Sequence, residues 1–126
     1  MFAKAGLVVA AGALLTGTTV GTAQANTNAG YIGYGYSNNT HAVWCVQQLT
    51  NSYAKWGGGR ALIPEDGVWG PQTYDQLRWF QSHWPQLLDA DGVVGPKTGN
   101  VLLYASGDTV YGGSGGYCNA YIPTTF

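Results

Sequence analysis

Two histidines, two cysteines and six carboxylates are all the sequence offers for metal, nucleophilic or acid–base chemistry. A zinc hydrolase needs paired histidines, but His41 and His83 share neither an HExxH nor a His-x-His spacing. Cys45 and Cys118 are a lone pair, which in an oxidising compartment reads as one disulfide, with a metal site or a reactive thiol as the alternatives. A glycosidase needs two carboxylates about 5 to 9 Å apart across a cleft. Among Glu65, Asp66, Asp75, Asp89, Asp91 and Asp108, the nearest pair is Glu65–Asp66, and adjacent residues seldom face one site. Asp89-Ala90-Asp91-Gly92 opens like a calcium loop yet lacks a glutamate at the twelfth position, so it reads as a simple turn. The expectation is a non-catalytic chain with no metal and no cofactor.

Recognition chemistry is better supplied, with five tryptophans and nine tyrosines. Flat rings stack on sugar faces, and tryptophan and arginine carry much of the energy at interfaces. Trp79, Arg78 and Tyr74 fall on one helical segment, Trp56 and Arg60 border the Gly57–Gly59 loop, and Trp69 sits in a turn; these six are the candidate ligand contacts. Each competes with a structural role. Trp69 reads as half-buried turn structure, Trp44 can pack on a disulfide at Cys45, and an outward Trp79 can be covered by the C-terminal tail. Tyr31, Tyr34 and Tyr36 lie in a Gly-Tyr stretch that can extend a binding surface or serve as a plain lead-in.

Charged residues are only 9% of the chain. Beyond residue 25 there are four basic side chains, Lys55, Arg60, Arg78 and Lys97, against six acids, so the basic footprint that a nucleic-acid binder needs is missing. Polarity comes instead from amides, hydroxyls and glycine, a surface suited to neutral, hydroxyl-rich ligands.

The elements that would position these residues follow from pattern. Lys4, an apolar run Gly6–Leu15 of roughly ten residues and the end Ala23-Gln24-Ala25 have the order of a secretory signal peptide cleaved after Ala25. A membrane span needs about 20 residues, so a retained anchor is the weaker reading, and a secreted chain with no membrane contact after cleavage is expected. Residues 26–39 form a Gly/Tyr/Asn-rich lead-in, 40–106 a helical domain and 107–126 a Gly-rich tail. Asn39 or Thr40 caps a first helix reaching about Trp56, with Val43, Val46, Leu49 and Tyr53 inward.

Then comes a repeat. Asp66-Gly67-Val68-Trp69-Gly70-Pro71-Gln72-Thr73 returns 25 residues later as Asp91-Gly92-Val93-Val94-Gly95-Pro96-Lys97-Thr98, identical at six of eight positions. Asp-Gly makes a tight turn, the following valine is read as a buried plug, Gly-Pro starts a helix and the threonine faces inward. A second helix from Pro71 to Trp84 directs Thr73, Leu77, Phe80 and Trp84 inward. A third, from Pro96 to about Ala105, offers Val101, Leu102 and Tyr104. The expected fold is all-α, a compact three-helix bundle with two repeated Asp-Gly turns and irregular, disulfide-linked flanks.

These motifs resemble the peptidoglycan-binding domain of bacterial cell-wall hydrolases and related exported proteins. Val43, Val46 and Gln47 match its first helix, DGVWGPQT its first turn, Phe80-Gln81 the end of its second helix and DGVVGPKT its second turn, over about Ala42 to Leu102. Asp75 and Gln76 stand where the family carries small alanines, and Gly99 where it carries an aromatic residue. Glycine inside a helix costs roughly 1 kcal/mol relative to alanine, so the third helix is expected to be short, with Tyr104 or the tail filling the gap. The resemblance implies binding of peptidoglycan, through glycan or stem peptide. The alternative is a secreted protein-interaction or inhibitory module on the same fold, with a cell-wall hydrolase as the third reading.

Overall fold

The computed structural model describes Asn26 and residues 29–125; the signal-peptide reading of residues 1–25 lies outside them. Three α-helices carry the fold: α1 (Thr40–Tyr53), α2 (Pro71–Ser82) and α3 (Pro96–Ala105), with a 3₁₀ turn at Tyr117–Ala120. Among the described residues there is no strand, only an isolated bridge between Ile32 and Val94.

Each helix starts where local chemistry favours it. The Asn39 side chain accepts from the N–H groups of His41 and Ala42 and caps α1. Proline at the first position, after an extended glycine, opens both α2 and α3. The α-helical part of α1 stops at Tyr53; a π-helical turn, Ala54–Gly58, carries the chain on, and left-handed Gly59 ends it.

The core takes Val43, Val46 and Leu49 from α1, Leu77 and Phe80 from α2 and Leu102 and Leu103 from α3. It also draws on both flanks. Ile32 pairs its backbone with Val94 at 3.1 and 2.8 Å and is buried, so the lead-in around it is an integral part of the packing. Cys118 and Ile122 enter from the C-terminal flank, and Cys45–Cys118 is a disulfide. Trp44 packs edge-on against Tyr111 and Tyr117 of that flank.

Two expectations about the core need correction. The valine after Asp-Gly is no plug: Val68 is 65% exposed. Its N–H and carbonyl are both drawn inward, to Asp66 and Gln47, so the side chain turns out and the next residue turns in. That residue is the half-buried Trp69 in one copy and the buried Val94 in the other. On α3 it is Leu103, not Tyr104, that is buried, because the C-terminal flank covers a second face of the helix.

Gly99 explains how. A Cβ there would fall on the Pro123 carbonyl and against Ile122, so the flank lies directly on the helix backbone. Alanine normally gains about 1 kcal/mol over glycine inside a helix, but overpacking costs about 1 to 3. Gly99→Ala is therefore expected to destabilise the protein by about 2 kcal/mol, read as a lower urea midpoint; a stabilised variant would show that the flank is not packed on α3.

Candidate functional site

The two turns share a construction. From α1, the buried Gln47 amide donates to Asp66 Oδ1 (3.0 Å), the Val68 carbonyl (3.1 Å) and Thr73 Oγ1 (2.9 Å), while its oxygen accepts from Gly67 N–H (2.9 Å). From α2, Gln81 repeats this with Asp91 Oδ1 (3.1 Å), the Val93 carbonyl (3.0 Å), Thr98 Oγ1 (3.2 Å) and Gly92 N–H (2.9 Å). Each aspartate also accepts from the N–H two residues on, at 3.0 Å. Hydrogen bonds from the Val68 N–H and the Gln47 amide hold the Asp66 carboxyl below its ordinary range. Gly67 and Gly92 both have φ of +73°, which a side chain would strain. One buried glutamine per helix thus clamps the turn that starts the next helix.

The six candidate contacts separate into three groups. Trp79 is partly buried. Its ring meets Tyr53 at 5.6 Å, His83 at 4.7 Å and the Arg60 guanidinium at 5.5 Å. Gly58 abuts its edge so closely that a Cβ would not fit. The cover is the Gly57–Gly59 loop rather than the C-terminal tail. Trp56, 75% exposed, lies apart on a hollow of about 450 Å³ with Lys55, Glu65 and Asp108. Burial pushes the Asp108 carboxyl up, but hydrogen bonds from Tyr111 N–H, the Gln48 amide and Val110 N–H outweigh it and hold the group below its ordinary range.

Trp69, Tyr74 and Arg78 do come together, with Tyr34 as the hub. The Tyr34 ring is 5.2 Å from Tyr74 and 6.1 Å, edge-on, from Trp69. The Arg78 guanidinium lies 5.6 Å from the Tyr74 ring and its Nε donates to the Ala90 carbonyl at 3.0 Å. This face extends over the second turn. Tyr74 lies on Gly92 and Tyr31 on Gly95, close approaches that the missing side chains permit. Tyr31, which pairs with Tyr36 at 5.7 Å, then forms a wall of a cleft of about 590 Å³ with Leu87, Asp89, Lys97 and Thr125. Tyr31, Tyr34 and Tyr36 are each about half exposed, at 50, 51 and 46%.

The alternating Gly-Tyr spelling of residues 30–36 gave the rings but not their placement. Nothing in the sequence marked Lys97 or Leu87. The Ile32–Val94 bridge brings Tyr31 and Tyr34 to the second turn. Among the described residues, no group of three or more His, Cys, Asp and Glu side chains is placed to hold a metal ion, and no helix is long and apolar enough to cross a membrane.

Three helices joined through glutamine-clamped turns, with a tyrosine face over one of them, define a small helical module. Residues 46–102 match the family model "Putative peptidoglycan binding domain", which supports the assignment of this helical segment to that family. Comparison with curated proteins and with solved structures returned no match.

Proposed function

We propose that the protein is exported and binds bacterial peptidoglycan non-covalently, without catalysing a reaction on it, through the tyrosine face and the cleft beside it. The observation that carries this reading is that two ring pairs, Tyr34–Tyr74 and Tyr31–Tyr36, lie against the second turn at Gly92 and Gly95, with Arg78 beyond Tyr74 and Lys97 in the cleft beside Tyr31. Rings of this kind stack on pyranose faces, the cations pair with stem-peptide carboxylates, and Asp89 and Thr125 supply polar partners for amides. The family match supports the same ligand. A glycopeptide segment, sugar on the tyrosines and peptide in the cleft, fits better than glycan alone, because uncharged sugars leave Lys97 and Arg78 without a counterpart.

Co-sedimentation with purified sacculi, with chitin and cellulose as controls, tests this. The oxidised protein is expected to pellet saturably with sacculi and not with the controls. Tyr31→Ala with Tyr34→Ala should weaken binding about tenfold, as loss of roughly 1.4 kcal/mol from two contact residues requires. Trp56→Ala, on its separate hollow, should pellet like the parent. A folded double tyrosine variant that binds sacculi normally would remove this face from the site.

A further inference from the structure

A third hollow, of about 330 Å³, opens on the side of the molecule where the first turn meets the C-terminal flank. It is lined by Thr40, His41, Trp44, Glu65, Asp66, Gly67 and Tyr117. Three rings of different orientation wall it. Trp44 and Tyr117 stand nearly perpendicular, at 86° with centroids 5.9 Å apart, and His41 lies edge-on to Tyr117 at 6.4 Å. The walls are held from behind. His41 stacks on Tyr121 at 5.1 Å, its Nδ1 is hydrogen-bonded to the Tyr117 hydroxyl at 2.7 Å, and the Trp44 ring is wedged against Tyr111.

Glu65 and Asp66 line the same hollow, and no lysine or arginine does. Glu65 uses Oε2 to accept from Asn51 (2.9 Å), and Asp66 uses Oδ1 to accept from Gln47 and the Val68 N–H (both 3.0 Å). Aromatic faces attract a cation through their quadrupoles, and carboxylates in the same hollow accept its N–H bonds. An anion would meet like charge, and a neutral sugar would leave the carboxylates without a partner. We infer that this hollow is a binding site for a primary alkylammonium group, separate from the tyrosine face and independent of the peptidoglycan reading.

The test is a titration of the ¹⁵N-labelled, oxidised protein with n-butylammonium chloride, followed at the Trp44 indole N–H. Sodium chloride at matched ionic strength is the reference and tetramethylammonium chloride the comparison. The indole resonance is expected to shift saturably with butylammonium, and tetramethylammonium to bind more weakly because it has no N–H to donate. Glu65→Gln and Tyr117→Ala, both at exposed positions, should each weaken binding about fivefold, the scale of one cation–π or ion-pair contact. A response no larger than that to sodium chloride would overturn the site. So would two folded variants that titrate like the parent, or tetramethylammonium binding as tightly as butylammonium.

Discussion

Replacing Cys45 and Cys118 together by alanine is expected to destabilise the protein by about 4 kcal/mol. The bond closes a loop across a sequence separation of 73 residues, and in the chain-entropy model the cost of leaving so long a loop open falls in this range. Small domains have about 5 to 15 kcal/mol in total, so the variant is expected to be marginal at room temperature. The effect goes beyond entropy. Cys45 lies in the middle of α1 and Cys118 opens the segment that brings Ile122 into the core and Pro123 onto Gly99. Urea unfolding of the parent and the double variant measures the difference. Midpoints that coincide would mean that packing alone holds the flank. The alkylammonium hollow is expected to weaken with it, since its Tyr117 wall precedes Cys118 directly in the chain.

The second large effect is expected at Gln81, a buried residue that touches none of the proposed ring contacts but holds Asp91, Val93 and Thr98 in the lining of the cleft. Gln81→Leu keeps the volume and removes every hydrogen bond that this side chain makes to the second turn. Gly92 N–H, the Val93 carbonyl and Thr98 Oγ1 would all lose a buried partner. Each orphaned buried group costs about 1 to 3 kcal/mol, and partial relaxation of the exposed side of the turn brings the expected total to about 3 to 4 kcal/mol. Because Tyr74 and Tyr31 lie on Gly92 and Gly95, sacculus binding should fall as well, even under conditions where the protein is still folded.

Gln81→Glu separates the hydrogen-bond argument from packing. It keeps an acceptor for Gly92 but sets a carboxylate against Asp91 Oδ1, where the glutamine amide donates at 3.1 Å. The introduced carboxyl is favoured protonated in the folded state, so its folded pKa rises above the unfolded value of about 4.3. Its penalty is then full at neutral pH. Stability relative to the parent should recover as pH falls through the raised folded pKa toward the unfolded one. A glutamate variant with no such recovery, or a leucine variant within about 0.5 kcal/mol of the parent, would mean that the clamp does not hold the turn.

Much of this molecule is legible from local chemistry. Proline after glycine starts α2 and α3, Asn39 caps α1, and apolar spacing picks out Val43, Val46, Leu49, Leu77 and Phe80 as core. These rest on interactions within a few residues, which sequence spacing encodes directly. The repeat announced two equivalent turns and the cysteines announced their bond. Gly99, an apparent weakness in a helix, marked the place where the tail packs.

The candidate contacts were a different matter. The spelling of α2 put Trp79 on the outside, and so it is with respect to that helix alone; the loop after α1 then closes over it. Gln47 and Gln81 stood in the motifs as matching letters, with no sign that each clamps a turn 20 and 11 residues further on. The sequence by itself determined the helices, their order, the turns between them and the kind of side chain available for recognition. The tertiary structure decided which rings from separate segments meet: Tyr34 with Tyr74, and Trp44 with Tyr117. A helix face is set by the 3.6-residue period of its own backbone. The neighbour of an exposed ring is set by how separate segments dock, here through the Ile32–Val94 bridge and the Cys45–Cys118 bond, contacts between residues more than 60 positions apart.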